Sequence, residues 1–248
     1  MNTDKNILVT TPEELAEAVQ SAPRVLAVGA GTKPRLSAVA SDVVKISTVK
    51  LSGIVEYEPS EFTFTALAGT SLKDIAAALA ERGQYLPFDP LLVDAGATIG
   101  GTVAAGLGGP GRFRFGGLRD FIVGVRFVDG SGRLMRMGGK VVKNAAGFDL
   151  PKFFVGSLGR FGALAEVTFK VFPRAVTTRT LRLSAVDTAA MTTIFTEAAG
   201  QRWELDALEA WPAEGVVYAR LAGPAAALDV LAAEIFSRWP GRIRVGAM

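Results

Sequence analysis

A run of 22 residues from Gly96 to Gly117 constrains this chain most, because nine of the chain's 28 glycines lie in it. Glycine permits positive φ and the close approach of another backbone or a ligand, at an entropic cost. Within the run, Ile99, Val103 and Leu107 recur at near-helical spacing. The pattern predicts a tight turn followed by a short helix whose first N–H groups have no partner, and such a terminus favours an anion.

Two other interpretations of the glycine run stay open. A flexible linker would be rich in serine and poor in branched apolar residues, and this run is neither. Close packing of a helix on a sheet, with no ligand, would also require glycines.

The chain contains no cysteine and no histidine among its 248 residues. The absence of cysteine excludes disulfides, thiolate nucleophiles and iron–sulfur clusters held by this chain, and no metal site is expected. The commonest general base is missing as well. Any chemistry must therefore come from other side chains or from a bound cofactor, and the sequence assigns no catalytic residue.

Composition places the chain among ordinary globular proteins, with 49% hydrophobic and 21% charged residues and a net charge of +3. The basic residues are scattered and only 8% of residues are aromatic, so we expect no nucleic-acid partner. No apolar stretch reaches about 18 residues and the first residues do not resemble a signal peptide. We expect no membrane span and a cytoplasmic protein, with contact at the inner face of the membrane made through partners.

A second glycine turn, Gly29-Ala30-Gly31-Thr32, follows the apolar run Val25 to Val28. It is not a Rossmann fingerprint, because the third glycine is missing, Pro34 stands where the helix would begin and no acidic residue ends a second strand. Such a turn can still present several N–H groups to a phosphate.

Local signals predict most of the remaining elements. Capping residues precede two helices, from Pro12 to about Ser21 and from Leu72 to Arg82. A hairpin turn is predicted at residues 129–132. Period-two or apolar runs predict strands at 43–46, 54–57, 62–67, 121–128, 133–137 and 164–172, and a short helix is capped near Asp149.

Composition changes after Pro173, where glycine becomes scarce. We predict domains at residues 1–173 and 174–248. The second domain is predicted to contain a strand, a helix, two strands and a helix in that order, with the last helix from about Ala225 to Trp239. The second domain has elements for only half of a typical α+β cap, so an incomplete cap is expected.

Three stretches together resemble one family of flavoproteins. They are Gly29 to Thr32, Gly96 to Thr102 followed by Arg119 to Gly124, and Val142 to Leu150 before Gly156 to Gly162. The pattern is similar to the FAD-binding domain of the vanillyl-alcohol oxidase and p-cresol methylhydroxylase (PCMH) flavoproteins, most of all the FAD-binding small subunit of bacterial glycolate oxidase. The resemblance implies an α+β fold, with a two-subdomain PCMH-type domain followed by the short cap.

The resemblance also implies a cofactor site. FAD would lie between the two subdomains, held noncovalently because the histidine or cysteine of covalent relatives is absent. The backbone N–H groups of two segments would cradle the pyrophosphate, namely those of Gly29, Ala30, Gly31, Thr32 and Lys33 and those of Thr98, Ile99, Gly100, Gly101 and Thr102. Further expected contacts are Pro87 near the flavin, Val123 and Leu164 at the adenine end, Arg114, Arg119 and Lys143 on phosphate or the flavin edge, and the glycines Gly106 and Gly147.

The expected activity is electron transfer from glycolate or a similar 2-hydroxy acid within a complex. A larger flavoprotein subunit and an iron–sulfur subunit would be the partners. Two alternatives remain: a structural or regulatory subunit without redox chemistry of its own, and a stand-alone flavin oxidoreductase acting on another substrate.

Overall fold

The computed structural model describes residues 6–36, 39–139, 149–185 and 187–239. Its elements, in chain order, are β1 (Asn6–Leu8), α1 (Pro12–Gln20), β2 (Val25–Val28), β3 (Val44–Ser47), β4 (Ile54–Glu58), β5 (Thr63–Leu67), α2 (Leu72–Ala80), β6 (Gln84–Tyr85), α3 (Ile99–Ala105), α4 (Arg112–Phe115), α5 (Leu118–Phe121), β7 (Ile122–Val128), β8 (Leu134–Gly138), α6 (Leu150–Phe153), β9 (Ala163–Lys170), β10 (Phe172–Pro173), β11 (Thr177–Ser184), α7 (Thr188–Ala199), β12 (Ala207–Trp211), β13 (Val216–Gly223) and α8 (Ala225–Arg238).

The described residues divide into two compact units. The first extends to Gly109 and resumes from Gly117 to Pro173, and the second combines Pro110–Gly116 with the residues from Arg174 onward. The predicted division differs in one respect, because it placed the short segment 110–116 in the first domain. This segment belongs to the second unit because Arg114 bonds to residues there, as described below.

Among the described residues, the first unit contains two larger sheets and the antiparallel two-stranded pair of β6 and β10. A parallel sheet has the order β1-β3-β2, and a five-stranded antiparallel sheet has the order β4-β5-β9-β7-β8. Aromatic rings fill the interior next to the larger sheet: Phe169 lies 6.1 Å from Phe64 and 5.8 Å from Phe88, between ring centroids. Burial of such large apolar side chains is the main stabilising contribution to a domain of this size.

The predicted helix starts are confirmed. Thr11 Oγ1 accepts from the Glu14 N–H, and Pro12 occupies the first helical position, where its missing N–H is harmless. Ser71 caps α2 in the same way by accepting from Asp74 N–H. The hairpin between β7 and β8 is confirmed as well. In its turn, the Asp129 carboxylate accepts hydrogen bonds from Ser131 and Arg133, and these bonds hold the pKa of Asp129 well below the usual range.

Most strand boundaries differ from the prediction by one or two residues, and the start of β5 shows a local cause. Phe62 does not begin β5 but closes the preceding 3₁₀ turn in the left-handed region, with φ of +53°. The period-two pattern of the sequence could not separate this residue from the strand, because the turn is only three residues long.

The second unit is an antiparallel sheet of order β11-β13-β12 that packs against α7 and α8. The predicted order of elements after residue 174 is confirmed. Its core is apolar, and the two buried indoles contact each other edge to face, Trp203 and Trp239 being 5.5 Å apart between centroids. Each donates its Nε1–H to a glutamate, Glu234 and Glu197 respectively.

Candidate functional site: a cationic groove beside two glycine turns

The loop Gly29 to Lys33 leaves the carboxyl end of β2. Gly31 adopts φ of +66°, which allows the chain to turn sharply there. Within the described part of the chain, no backbone N–H from Gly29 to Lys33 donates to a protein acceptor. The loop therefore offers a set of available donors, as a phosphate-binding turn requires.

The start of α3 does not offer such donors. The N–H groups of Ile99 and Gly100 donate to the carbonyls of Thr70 and Ala68, at 2.9 and 2.8 Å, and that of Gly101 donates to Thr98 Oγ1 at 3.3 Å. The prediction that the first N–H groups of this helix have no partner is therefore wrong. The backbone between β5 and α2 reaches this terminus through tertiary packing, which local spacing does not reveal.

The glycines at this position divide into two kinds. A Cβ on Gly29 would lie 2.3 Å from Thr98 Oγ1, and one on Gly100 would lie 2.6 Å from Ala68 Cβ. These two glycines are needed for the close approach of protein atoms. Gly101 differs, because a Cβ there would meet only Thr98 Oγ1, at 3.0 Å, and would otherwise point into open space.

That open space is a groove with a volume of about 310 Å³. Among the described residues, its charged lining consists of two lysines, Lys33 and Lys45, with no carboxylate. It therefore suits a ligand with both anionic and apolar parts. The described residues that line it are Leu26, Ala27, Val28, Gly29, Ala30, Gly31, Thr32, Lys33, Pro34, Leu36, Val39, Lys45, Thr98, Gly101, Ala104, Ala105, Leu158 and Gly159.

Lys33 is the half-buried cation of this groove. Its Nζ lies 3.5 Å from Thr32 Oγ1, and it forms no ion pair with any carboxylate of the described residues. Burial lowers the pKa of Lys33 below its ordinary value. A desolvated ammonium without a carboxylate partner is stabilised by a bound anion.

A small cavity of about 40 Å³ adjoins the groove, and the two share Ala27, Gly29, Gly101, Ala104 and Gly159. Leu164 lines this cavity, as does Ser157, whose buried hydroxyl has no hydrogen-bond partner among the described residues. Sequence reasoning missed Ser157, Leu158 and Gly159 as individual site residues. The stretch from Gly156 to Gly162 was the available signal, because it carries part of the family resemblance.

The predicted site residues fall into groups. At the groove lie Gly29, Ala30, Gly31, Thr32, Lys33, Thr98 and Gly101, and at the small cavity lie Gly100 and Leu164. Several others line neither: Ile99 and Thr102 are buried in α3, Pro87 is buried elsewhere in the first unit, Val123 lies in β7, and Gly106 ends α3 against Gly156. Lys143 and Gly147 lie outside the described residues.

Neither of the two predicted arginines is among the described residues that line the groove. Arg119 is exposed on α5, and its neighbour Asp120 accepts a hydrogen bond from Gly117 N–H. Arg114 belongs to the second unit, where it donates to the Glu204 carbonyl and pairs with Glu204 and Asp206 at 3.0 and 3.2 Å.

Comparison with known proteins decides the family. Residues 4–138, more than half of the chain, match the family model described as FAD binding domain. The chain belongs to this FAD-binding family. Its cofactor is FAD. The chain is 43% identical over 166 residues to glycolate oxidase subunit GlcE of Escherichia coli, and 33% identical over 144 residues to glycolate oxidase subunit GlcD of Bacillus subtilis.

These matches cover only parts of the relatives. The chain spans 45% of GlcE and 30% of GlcD, while the matches cover 67% and 57% of the chain itself. Among solved structures, alkyldihydroxyacetonephosphate synthase matches 94% of this chain and 49% of its own, with a TM-score of 0.75 and 17% identity. That likeness shows the PCMH-type fold predicted from the sequence.

The residues of the groove fit FAD. The donors of the Gly29–Lys33 loop and the two lysines match a diphosphate, and the side of Gly101 that faces the groove leaves room beside them. No described helix combines the length and apolar character needed to cross a membrane.

Proposed function

We propose that this chain is the noncovalent FAD-binding subunit of a complex that oxidises glycolate or a similar 2-hydroxy acid and passes the electrons to partner subunits. The observation that carries the proposal is the 43% identity to GlcE of Escherichia coli. Further support comes from relatives at 32% and 29% identity that are named D-lactate and D-2-hydroxyglutarate dehydrogenases.

The groove residues have separate roles in this proposal. The N–H groups of Gly29 to Lys33 and the Lys33 ammonium hold the diphosphate, while Lys45 adds positive charge. Gly101 keeps the approach to the diphosphate clear. Bound FAD supplies the redox chemistry, and the chain supplies its position and electrostatic surroundings. Arg119 and Lys143 remain candidates for the flavin edge, where a cation would favour the reduced anion.

Partner subunits complete the proposal. The chain has no cysteine to hold an iron–sulfur cluster, so a cluster that receives the electrons must belong to another subunit. A larger flavoprotein subunit is the second proposed partner, since the chain also matches GlcD, which is named as a subunit. We propose that residues 1–173 carry the cofactor, that residues 174–248 form a partial cap, and that the complex works in the cytoplasm at the inner face of the membrane.

An absorbance spectrum tests this function. Purified chain is incubated with FAD, desalted, and then mixed anaerobically with glycolate and, separately, with D-lactate. Flavin that binds stoichiometrically and stays oxidised until partner subunits are added supports an electron-transfer subunit. Bleaching by the isolated chain would instead make it a self-sufficient dehydrogenase.

Two further outcomes contradict the proposal. A chain that does not retain flavin would be a structural or regulatory subunit. Bleaching by NADPH, but not by hydroxy acids in the presence of partner subunits, would identify a stand-alone flavin oxidoreductase acting on another substrate.

A further inference from the structure

Three buried hydroxyls have no hydrogen-bond partner among the described residues. They belong to Thr63, Thr102 and Ser157, and each of these residues is more than nine-tenths buried. A buried hydroxyl without a partner keeps the full cost of its desolvation, and such groups are rare in native proteins. Ser157 differs from the other two, because it is the one of the three that lines the small cavity beside the groove.

The backbone around Ser157 is held in place without its side chain. The N–H of Gly156 donates to the Val103 carbonyl at 3.0 Å. The N–H of Leu158 donates to the Ala104 carbonyl at 2.9 Å. These two bonds fix the loop after α6 against α3, so the hydroxyl of Ser157 is not needed to hold the loop there.

The lining of the small cavity restricts what can meet this hydroxyl. No charged side chain is among the described residues that line it. The other hydroxyl in this lining, Thr48 Oγ1, already donates to the Val28 carbonyl at 3.3 Å. An anion would be costly in such surroundings, because a buried charge requires a compensating partner. The cavity therefore suits a neutral polar atom, or a water molecule bonded to one.

We propose that Ser157 is a cofactor-binding residue whose hydroxyl completes its hydrogen bonding on a neutral polar atom of bound FAD, directly or through one water molecule in the cavity. A ligand in the groove can reach it, because groove and cavity share part of their lining. The inference rests on the proposed FAD-binding function and adds a source of affinity to it. The apoprotein carries the cost of an unpaired hydroxyl, and FAD removes that cost on binding.

Ser157→Ala tests the proposal through two measurements on the full chain. The Kd of FAD, followed by flavin fluorescence, is expected to rise about threefold to tenfold, as the loss of one hydrogen bond requires. The urea midpoint of the apoprotein is expected to stay the same or to rise, because the variant removes an unpaired buried group. A hydroxyl with a purely structural role would lower that midpoint.

A second variant, Ser157→Cys, separates the hydrogen bond from the volume of the side chain. A thiol occupies similar space but is a weak donor, so the Kd of FAD should rise in this variant too, measured with a reductant present. Wild-type affinity in Ser157→Cys, with weakened binding in Ser157→Ala, would show that the hydroxyl only fills space and would overturn the proposal.

Thr63→Val is the matched control. The hydroxyl of Thr63 is also buried and unpaired among the described residues, but Thr63 lines neither the groove nor the small cavity. This variant is expected to keep the wild-type Kd of FAD. A rise in Kd equal to that of Ser157→Ala would overturn the proposal, because the effect would then not depend on the cavity.

The outcomes separate this inference from the proposed function. Wild-type affinity for FAD in Ser157→Ala overturns the inference alone, because the Kd measurement involves neither a substrate nor partner subunits. A lower urea midpoint of the Ser157→Ala apoprotein also overturns it, since the hydroxyl would then have a partner without FAD. A wild-type chain that retains no flavin overturns both the inference and the proposed function.

Discussion

Gly29 and Thr98 lie in contact across two segments that are 69 positions apart in the chain, so close that a Cβ on Gly29 would stand 2.3 Å from Thr98 Oγ1. The same hydroxyl accepts a hydrogen bond from Gly101 N–H. Thr98 thus joins the loop after β2 to the start of α3, and the two glycine segments recognised in the sequence form one site through it.

This contact predicts a coupled pair of substitutions. Gly29→Ala should lower the free energy of unfolding by about 1–3 kcal/mol through overpacking, and Thr98→Ala by about 1 kcal/mol through loss of the helix cap. In the double variant the clash with Oγ1 is gone, so the cost of Gly29→Ala should fall well below its cost alone. Urea unfolding of the four proteins measures the coupling, and additive costs would refute the contact.

Gly101 tests the placement of the diphosphate. Gly101→Val is expected to abolish FAD binding while the apo fold persists, because its side chain extends into the groove rather than into protein atoms. The flavin retained after desalting and the Tm of the apoprotein check both parts. Gly130→Val is the control, since Gly130 also faces open space but lies in the β7–β8 turn. Stoichiometric flavin in Gly101→Val would exclude this placement.

Substitution of Arg114 distinguishes a structural role of this residue from a role in cofactor binding. Arg114→Ala should destabilise the second unit by about 1–2 kcal/mol, because the buried Asp206 loses a charged partner. All three tryptophans, Trp203, Trp211 and Trp239, belong to the second unit, so indole fluorescence during urea unfolding reports on it selectively. Flavin content should not change.

Arg112→Ala is the matched control for Arg114, since Arg112 is exposed on the same helix and forms no ion pair with a described residue. If Arg114→Ala loses flavin while the urea unfolding followed by indole fluorescence is unaltered, Arg114 would instead be a cofactor-binding residue.

Lys33 should make the stability of the apoprotein depend on pH. Because burial lowers its pKa below 10.5 in the folded state, the unfolded chain binds more protons between the two values. The free energy of unfolding contributed by Lys33 should therefore rise as pH increases through the lowered pKa toward 10.5. Lys33→Met should lose this rise, while Lys73→Met should keep it. Parallel curves for wild type and Lys33→Met would contradict the prediction.

Much of the fold could be predicted from the sequence because its signals are local. Thr11 and Ser71 cap helices three residues away, and the turn at Asp129 is stabilised by its own neighbours. The glycine turn at Gly29 also follows from adjacent residues. Phe62 shows the limit, since a three-residue turn leaves no pattern that distinguishes it from the strand.

The candidate site could be predicted only in part. The loop from Gly29 to Lys33 was recognised, but the partners of the α3 N–H groups, Ala68 and Thr70, were not, because hydrogen bonds across about 30 residues have no signature in spacing. Leu158 and Gly159 reach the groove from still further along the chain.

The sequence by itself determined the FAD-binding family, the positions of most helices and strands, and the absence of histidine and cysteine chemistry. Tertiary structure decided which donors remain available and where each cation lies. It gave the N–H groups at the start of α3 their acceptors and left those of the Gly29–Lys33 loop without an acceptor among the described residues. It also paired Arg114 with Asp206. The reason is physical: local propensity acts over a few residues, whereas hydrogen-bond satisfaction and charge pairing depend on which distant segments pack together.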